Sequence, residues 1–569
     1  MKLTRSLRYT ILVVFLLVAS PTIFPQTAPE QGLRNPIRAV ANKRQQIDDV
    51  LTRLTAFGFS GTVLVGEKGR ILLYKGYGLA DRQRRIPNTT ATIFPYASII
   101  KGFTAAAIYK LEAEGKLNTS DPINKYLTGV PSYAAHITLM HLLNHSSGIP
   151  HEADNVPTGA TRGEHVVNIL RLPLQSESGT RYSYSNAGYD LLAAIVERVT
   201  GVPVESYLHE NLFRPAGLFH TGWRSEFPSR LFARGYQEAY RDTGSEITFP
   251  AGLVGTPAEL YKWSESLYTD RVLPPSARAK LFAPAFNEYV NGWWVTKTKQ
   301  GIEVQLTDGD YPGYQAQMAR FPSRHLTIVM TMNNDAGWGK LIYNALRDIL
   351  LGEKYEAPPL VTKLDDSQLN RLSGTYELSS GATFEVRVAD GTMFVGATGQ
   401  QAVSALAGVD AARNAQLIER NKVTTDFVEH LKQGEFDWIK PMAEFQAPEP
   451  FQRLQNFWNT MIATKGQLKG FQIIGSSPSR GQMILTSIRF DLERGSEYWM
   501  LYWWEKKLRG WDINVSVPSA IRFLATSPDE FASLDIPTGR VTRIRFDKKG
   551  GELSIPTASG DEILARKVK

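Results

Sequence analysis

A helix that has to be buried begins close to Ser98, and it constrains the fold more than any other stretch of the chain. Its apolar side chains recur at helical spacing, at Ile100, Phe103, Ala107 and Leu111. Gly115 is predicted to end the helix, because glycine readily adopts the left-handed conformation found just past helix ends. We therefore expect this helix to lie at the centre of its domain.

Ser98 and Lys101 stand at the start of this helix, three positions apart, so that both side chains point into one cleft. Serine is a poor nucleophile, and a lysine amine can serve as its base only if the lysine pKa falls from about 10.4 toward neutrality. Backbone N–H groups at a helix start are unpaired, so the Ser98 amide is a predicted oxyanion donor. Taken alone, a Ser-x-x-Lys pattern is more often a solvated helix surface, and its meaning depends on the other motifs of the chain.

A second segment carries polar groups on a turn before an amphipathic helix that is predicted to end at Gly201. Beside Lys101, the Tyr184 side chain can exist as a phenolate paired with the ammonium, and we expect it to act as a proton shuttle. Asn186 offers a donor and an acceptor to a substrate amide or ester.

A third segment, residues 304–321, places a glycine within an extended run. Glycine lets a strand backbone approach a ligand closely, so Thr307 and Gly309 are predicted to lie beside the substrate. The amide of Asp310 is then the predicted second oxyanion donor.

Together these motifs resemble the serine β-lactamase and penicillin-binding-protein superfamily, within its class C, esterase and D-aminopeptidase branch. The resemblance covers residues 45 to 350 and depends on four motifs in order: Ser98-x-x-Lys101, Leu142-Leu-x-His145-Ser-Ser-Gly148, Tyr184-x-Asn186, and Gly309 before Pro312-Gly-Tyr314. It implies an α+β catalytic domain in which an antiparallel sheet lies beside a helical cluster, with the active site between them. It also implies that Ser98 is acylated, that Lys101 and Tyr184 share general-base and general-acid work, and that Asn186 orients the substrate.

The third motif departs from the family pattern. Where the family usually has Lys-Thr-Gly or His-x-Gly, this chain has Thr307-Asp308-Gly309, followed by Asp310. The missing cation and the added carboxylates make the site less hospitable to an anionic substrate such as a β-lactam. The hypothesis is therefore a neutral ester or amide, or a substrate that carries an amino group.

The first 26 residues have the pattern of a secretory signal peptide, with three basic residues ahead of the apolar run from Tyr9 to Ala19. That run is too short to span a bilayer of about 30 Å, so no stable membrane insertion is expected after cleavage. The chain has no cysteine, which excludes disulfides and thiol catalysis. We expect a periplasmic or secreted bacterial protein.

Charge gives no support for a nucleic-acid partner. The formal net charge is +8, but the lysines and arginines are dispersed rather than gathered in a basic run. His141 and His145 stand four positions apart without the glutamate of a His-Glu-x-x-His motif, so we expect them to pack rather than to bind a metal.

Several domains are expected in a chain of 569 residues. The proline-containing stretch 354–366 is predicted to be a linker. Beyond it, short alternating strands with Gly or Asp turns resemble the small β-barrel often appended to this family. Helices followed by long strands in the middle of that region resemble the α+β cone of nuclear transport factors, inserted into the barrel. The predicted organisation is a signal peptide at 1–26, a catalytic domain at 36–353, the linker, a barrel at 367–411 and 521–569, and an inserted domain at 412–520.

The function expected from this resemblance is that of a secreted serine hydrolase that forms an acyl-enzyme on an ester or amide, with esterase, peptidase or β-lactamase-related activity. It would need no metal or cofactor, and its partner would be a small-molecule or peptide substrate. Two alternatives stay open: a catalytically impaired periplasmic binding or sensing protein, and a peptidoglycan D,D-peptidase.

Overall fold

The structure is a computed structural model, and it describes residues 36–152, 161–237, 252–284, 288–442, 448–479, 483–505, 507–513, 515, 520–557 and 561–568. The predicted signal peptide at 1–26 lies outside these residues. The chain divides into two compact units, Met1–Asn42 and Lys43–Lys569. Of the first unit, only the opening turns of one helix are described.

The N-terminal domain of the second unit is built on an antiparallel sheet of seven described strands, in the order β2-β1-β12-β11-β10-β9-β8. The strands of this domain are β1 (Gly61–Glu67), β2 (Arg70–Tyr77), β3 (Leu79–Asp81), β4 (Ile86–Pro87), β5 (Phe94–Pro95), β6 (Gly222–Trp223), β7 (Leu253–Gly255), β8 (Tyr289–Val290), β9 (Trp293–Lys297), β10 (Glu303–Tyr311), β11 (Tyr314–Phe321) and β12 (Leu326–Met332). The predicted hairpin of β1 and β2 is present, with Glu67 opposite Arg70 across a turn in which Lys68 and Gly69 both have positive φ.

Helices cover both faces of this sheet. They are α1 (Pro36–Ala56), α2 (Ile100–Ala113), α3 (Leu139–Leu143), α4 (Arg162–Leu170), α5 (Asn186–Thr200), α6 (Val204–Leu208), α7 (Arg214–Ala216), α8 (Pro257–Ser266), α9 (Pro275–Leu281) and α10 (Trp338–Leu351). None of the described helices is long and apolar enough to cross a membrane.

Side chains that alternate along the strands of the sheet pack into two separate hydrophobic cores. On β1, Leu64 joins the core formed with α2, α5 and α8, whereas Val63 and Val65 join the core formed with α1 and α10. Because both faces are covered, every residue of β1 except the last is buried. The expected α+β fold, with a helical cluster beside an antiparallel sheet, is confirmed.

Helix α2 is the buried helix expected from the sequence, but it begins later than predicted. Ser98 lies on a 3-10 turn, Ala97–Ile99, and the α-helix starts at Ile100. The short turn is continuous with the helix, so Ser98 and Lys101 still project from neighbouring positions. Most of α2 is buried, and Gly115 follows its end with a φ of 72°.

Eight strands beyond the N-terminal domain form a closed antiparallel barrel, which confirms the barrel expected from the sequence. Helix α11 (Asp366–Asn370) precedes it, and its first strands are β13 (Gly374–Glu377), β14 (Thr383–Ala389) and β15 (Thr392–Thr398). The chain then leaves the barrel, and it returns at a strand that pairs with β15 at Met393 and Phe523.

An inserted α+β segment occupies this interruption. Its elements are α12 (Gln400–Ala407), α13 (Ala411–Lys432), α14 (Phe436–Ile439), α15 (Pro448–Lys465), β16 (Leu468–Pro478), β17 (Met483–Leu492), β18 (Gly495–Trp504) and β19 (Lys507–Ile513). The four strands form one antiparallel sheet in chain order, with a hydrophobic core of its own. The barrel is then completed by β20 (Ile521–Ala525), β21 (Glu530–Asp535), β22 (Arg540–Phe546), β23 (Glu552–Pro556) and β24 (Glu562–Lys567).

Candidate active site

The turn that carries Ser98 is held in a strained conformation. Ala97 has a φ of 46°, a left-handed value that costs a non-glycine residue about 1–2 kcal/mol. The preceding Tyr96 is fully buried, and its hydroxyl donates a hydrogen bond of 2.7 Å to the carbonyl of Thr256. This anchored turn leaves Ser98 half-buried at the start of the helical run, where a substrate can reach it.

Lys101 lies directly behind Ser98, and its Nζ donates to Ser98 Oγ at 3.1 Å. The lysine is 5% exposed, and burial lowers its pKa to about 8, although the negative charges of Asp190 and Glu152 act in the opposite direction. The requirement set by the sequence, a desolvated lysine beside the serine, is therefore met.

Tyr184 completes the group around the serine. Its hydroxyl donates to Ser98 Oγ at 2.8 Å, and Lys101 Nζ lies 4.9 Å from the centroid of its ring. Burial raises the pKa of Tyr184 to about 12, with the nearby carboxylates acting in the same direction and the hydrogen bond to Ser98 in the opposite one. The phenolate expected from the sequence is thus not favoured, because burial and the negative charges around the ring oppose ionisation and the hydroxyl keeps its proton.

His145 supports Tyr184 from the buried side. The two ring centroids are 4.3 Å apart, and the imidazole is 1% exposed. Its Nδ1 accepts the N–H of Ser185 at 3.0 Å, so Nε2 carries the proton and donates to the hydroxyl of Tyr289, also at 3.0 Å. Burial and the nearby Lys101 lower the pKa of His145 to about 3, so it acts as a neutral packing residue.

Strand β10 forms the opposite wall of the site. Its pairing with β9 covers Glu303 to Leu306, and its later residues pass beside the serine turn. A Cβ on Gly309 would lie 2.3 Å from the carbonyl oxygen of Tyr96 and 2.7 Å from the Ser98 nitrogen, so only glycine permits this approach. Thr307 is buried and its hydroxyl donates to the carbonyl of Gly292 at 3.0 Å, which makes it part of the wall rather than a free substrate ligand.

Two carboxylates project from this strand next to Thr307, which stands where the family pattern has a cation. Asp308 and Asp310 are exposed, in contrast to Thr307 and Gly309, with which they alternate. Although Asp308 is exposed to solvent, the protein around the cleft partly desolvates its carboxyl, and this, together with the like charge of Asp310, raises its pKa. The Asp310 carboxylate accepts a hydrogen bond from Gln315 at 2.8 Å. The predicted role of the Asp310 amide as an oxyanion donor stays a prediction.

Asn186 begins helix α5 at the mouth of the site. Its side-chain amide donates to the carboxylate of Glu152, a residue that the sequence motifs did not indicate. Glu152, Asp308 and Asp310 each raise the pKa of Tyr184 by charge, so all three act on the centre of the site. We call these three carboxylates the acidic rim. Its member Glu152 lies only four residues beyond Gly148 of the second motif, which is the one signal in the sequence for its position.

Comparisons with known proteins agree with this geometry. The family model described as Beta-lactamase matches residues 47–352. Penicillin-binding protein 4* of Bacillus subtilis (strain 168) is 27% identical over 401 residues, which cover 63% of this chain and 88% of that protein. The putative penicillin-binding protein PbpX of the same strain is 29% identical over 309 residues, which cover 53% of this chain and 76% of that protein.

A solved structure extends the likeness in fold to the C-terminal region. The octameric penicillin-binding protein homologue from Pyrococcus abyssi aligns with a TM-score of 0.52 at 17% identity, over 93% of this chain and all of that one. The family model spans more than half of this chain, and its matched region contains Ser98, Lys101 and Tyr184 in mutual contact. The chain therefore belongs to the Beta-lactamase family, within the superfamily of serine β-lactamases and penicillin-binding proteins.

Proposed function

We propose that this protein is a serine hydrolase that forms an acyl-enzyme on an ester or amide substrate. The observation that carries the proposal is the position of Ser98 Oγ, within hydrogen-bonding distance of both Lys101 Nζ, at 3.1 Å, and the Tyr184 hydroxyl, at 2.8 Å. A nucleophile flanked by a desolvated amine and a neutral phenol has one group to accept its proton and another to donate one.

In the acylation step, Lys101 accepts the proton of Ser98 as Oγ forms a bond to the substrate carbonyl carbon. The Ser98 amide, and by our prediction the Asp310 amide, stabilise the oxyanion. The Tyr184 hydroxyl gives its proton to the leaving group as the bond to that group breaks, and the Lys101 ammonium beside its ring replaces the proton. Water then attacks the acyl-ester, and the bond to Ser98 Oγ breaks to release the acid.

The acidic rim favours particular substrates. Glu152, Asp308 and Asp310 place negative charge around the serine, while Lys101 is the one cation that faces Ser98 in the contacts of the described residues. A carboxylate on the substrate would be repelled, whereas an uncharged ester or amide would not be. We propose a substrate that is neutral near the scissile bond or carries an amino group, which argues against a β-lactam or a peptidoglycan stem that ends in a carboxylate.

Intact-mass analysis tests the proposal. Wild-type protein and Ser98→Ala are incubated with a fluorophosphonate, and separately with a small p-nitrophenyl ester whose turnover is followed. We expect an adduct and ester turnover with the wild type alone. If the wild type gives neither, the alternative of a binding or sensing protein is favoured instead.

A further inference from the structure

His151 stands at the mouth of the site with its ring beside Tyr184. The ring centroids are 5.6 Å apart and the planes are inclined by 31°. The carbonyl of His151 accepts the N–H groups of Asn186, at 2.9 Å, and Ala187, at 3.3 Å. The start of helix α5 therefore fixes the backbone of His151 next to the Tyr184 turn.

The carboxylate of Glu152 lies beside the imidazole of His151. The His151 Nδ1 lies 3.3 Å from Glu152 Oε1, and the same carboxylate oxygen accepts the side-chain amide of Asn186. A carboxylate beside Nδ1 favours the tautomer in which Nδ1 carries the proton, and this leaves Nε2 as a base. The geometry thus builds a carboxylate–imidazole pair on a residue of the Tyr184-x-Asn186 motif.

The two sides of Tyr184 differ in their access to water. His145 and Lys101 are 1% and 5% exposed, whereas the His151 side chain is 59% exposed. Once Ser98 is acylated, Lys101 lies behind the ester, while a water molecule that approaches from solvent passes the mouth. A base for that water has to lie within hydrogen-bonding distance of it, and His151 is the imidazole that contacts Tyr184 on the exposed side.

We propose that His151 is the general base that activates water in the deacylation step, with Glu152 as its positioning residue. This inference rests on the proposed function. As the water oxygen bonds to the acyl carbon, its proton passes to His151 Nε2 and the imidazolium is stabilised by Glu152. As the bond to Ser98 Oγ breaks, the Tyr184 hydroxyl gives its proton to Oγ, and a solvent water carries the proton from His151 back to Tyr184. The enzyme is regenerated and one molecule of acid is released.

Pre-steady-state hydrolysis of a p-nitrophenyl ester by the full-length protein separates the two half-reactions. The burst reports acylation, the steady state reports deacylation, and intact mass after quenching reports the acyl-enzyme. For His151→Gln we expect the steady-state rate to fall by about 10²-fold or more, with the burst rate within about twofold of the wild type and the acyl-enzyme accumulating. Glu152→Gln, which can still bond to Asn186, should slow the same step by about tenfold.

His430→Gln is the matched control, because His430 also contacts a carboxylate through Nδ1, that of Glu435, but in the inserted segment. It should leave both phases unchanged. Added imidazole should restore the steady-state rate of His151→Ala, which it would not do for a residue with a purely structural role. This inference alone would be overturned if His151→Gln lowered the burst rate and the steady-state rate together, or if it left the steady-state rate intact. A wild type that is never acylated would overturn the proposed function as well.

Discussion

At the residue scale, the chemistry depends on the charge of Lys101. Its position behind Ser98 removes it from water without giving it a carboxylate in direct contact, and burial is the largest influence on its pKa. Tyr184, in the same cleft, is shifted in the opposite sense, so the pair consists of an amine that is easily deprotonated and a phenol that is not.

This pairing predicts how activity depends on pH. The Lys101 pKa is lowered to about 8, so below that pH the amine is protonated and cannot accept the Ser98 proton. We expect kcat/KM for a neutral ester to rise with pH along a limb with an apparent pKa of about 8. Stopped-flow measurement of the acylation burst across the pH range checks this; a burst already at its maximum at about pH 6 would show that another group is the base.

Asp308 gives a second residue-scale prediction. Asp308→Asn removes one charge of the acidic rim, and one charge is worth about 1 kcal/mol over 4 Å in water, or roughly fivefold. We expect kcat/KM to fall about fivefold for an ester bearing an ammonium group and to rise about fivefold for its carboxylate analogue, so their ratio should fall by roughly 25-fold, while turnover of the neutral ester hardly changes. Asp437→Asn, at an exposed position in the inserted segment, is the control. An unchanged ratio would mean that Asp308 does not contact the substrate side of the cleft.

The spacing of the motifs predicts which residues meet at the site, but it does not predict their protonation states. Ser98, Lys101 and Tyr184 are brought together as the motifs predict, because each stands on or next to a helix start that the sequence marks. The protonation of Tyr184 depends on Glu152, Asp308 and burial, which come from separate segments of the chain. No local pattern contains that information.

At the element scale, the close approach of β10 to the serine turn depends on a single glycine. Gly309→Ala would place a methyl group 2.3 Å from the Tyr96 carbonyl oxygen, so one of the two backbones has to move. We expect a loss of about 10²-fold in the acylation rate, which is the cost of displacing a reacting group by about 1 Å.

The matched control for this substitution is Gly470→Ala, because a Cβ added to that strand glycine would have no atom within 4 Å. Burst kinetics for both variants, with circular dichroism to check folding, provide the measurement. A Gly309→Ala variant that acylates at the wild-type rate would show that the turn tolerates the displacement.

The long elements of the C-terminal region were predictable to different degrees. Strand β18 is found as Gly495–Trp504, where the sequence has a run of apolar and aromatic residues with both faces apolar, and Trp499, Leu501 and Trp503 are buried on one face. The sequence pattern predicts the three later strands of this sheet, at 481–492, 496–504 and 511–515, but not strand β16. Its glycines coincide with two shifts of register against β17, so the period-two pattern that marks a strand is broken there.

At the scale of the whole molecule, the barrel shares a core with the N-terminal domain. Leu534 of β21 and Ile536, just beyond its end, are buried in the same cluster as residues of α1 and α10. Most of the inserted segment instead closes its own core, which includes Leu417 and Trp503, whereas Ala402 and Leu406 of its first helix, α12, lie in the core of the barrel. Two cooperative units are therefore expected rather than three.

Calorimetry can test this division. We expect two thermal transitions, one for the N-terminal domain with the barrel and one for the inserted segment. Leu534→Ala and Leu417→Ala each remove a buried leucine, at a cost of about 2–5 kcal/mol, and each should lower the Tm of only one transition. A single transition that both variants lower would mean that the inserted segment unfolds together with the rest.

The closure of the barrel also sets an order of events during synthesis. Its first strand, β13, pairs with its last, β24, at Tyr376 and Lys567. The ribosome thus completes the whole inserted segment before the barrel has a partner for its opening strand. Before the barrel has formed, Leu534 does not yet cover the apolar surface of α1 and α10. The nascent N-terminal domain therefore exposes a surface of the kind that chaperones bind.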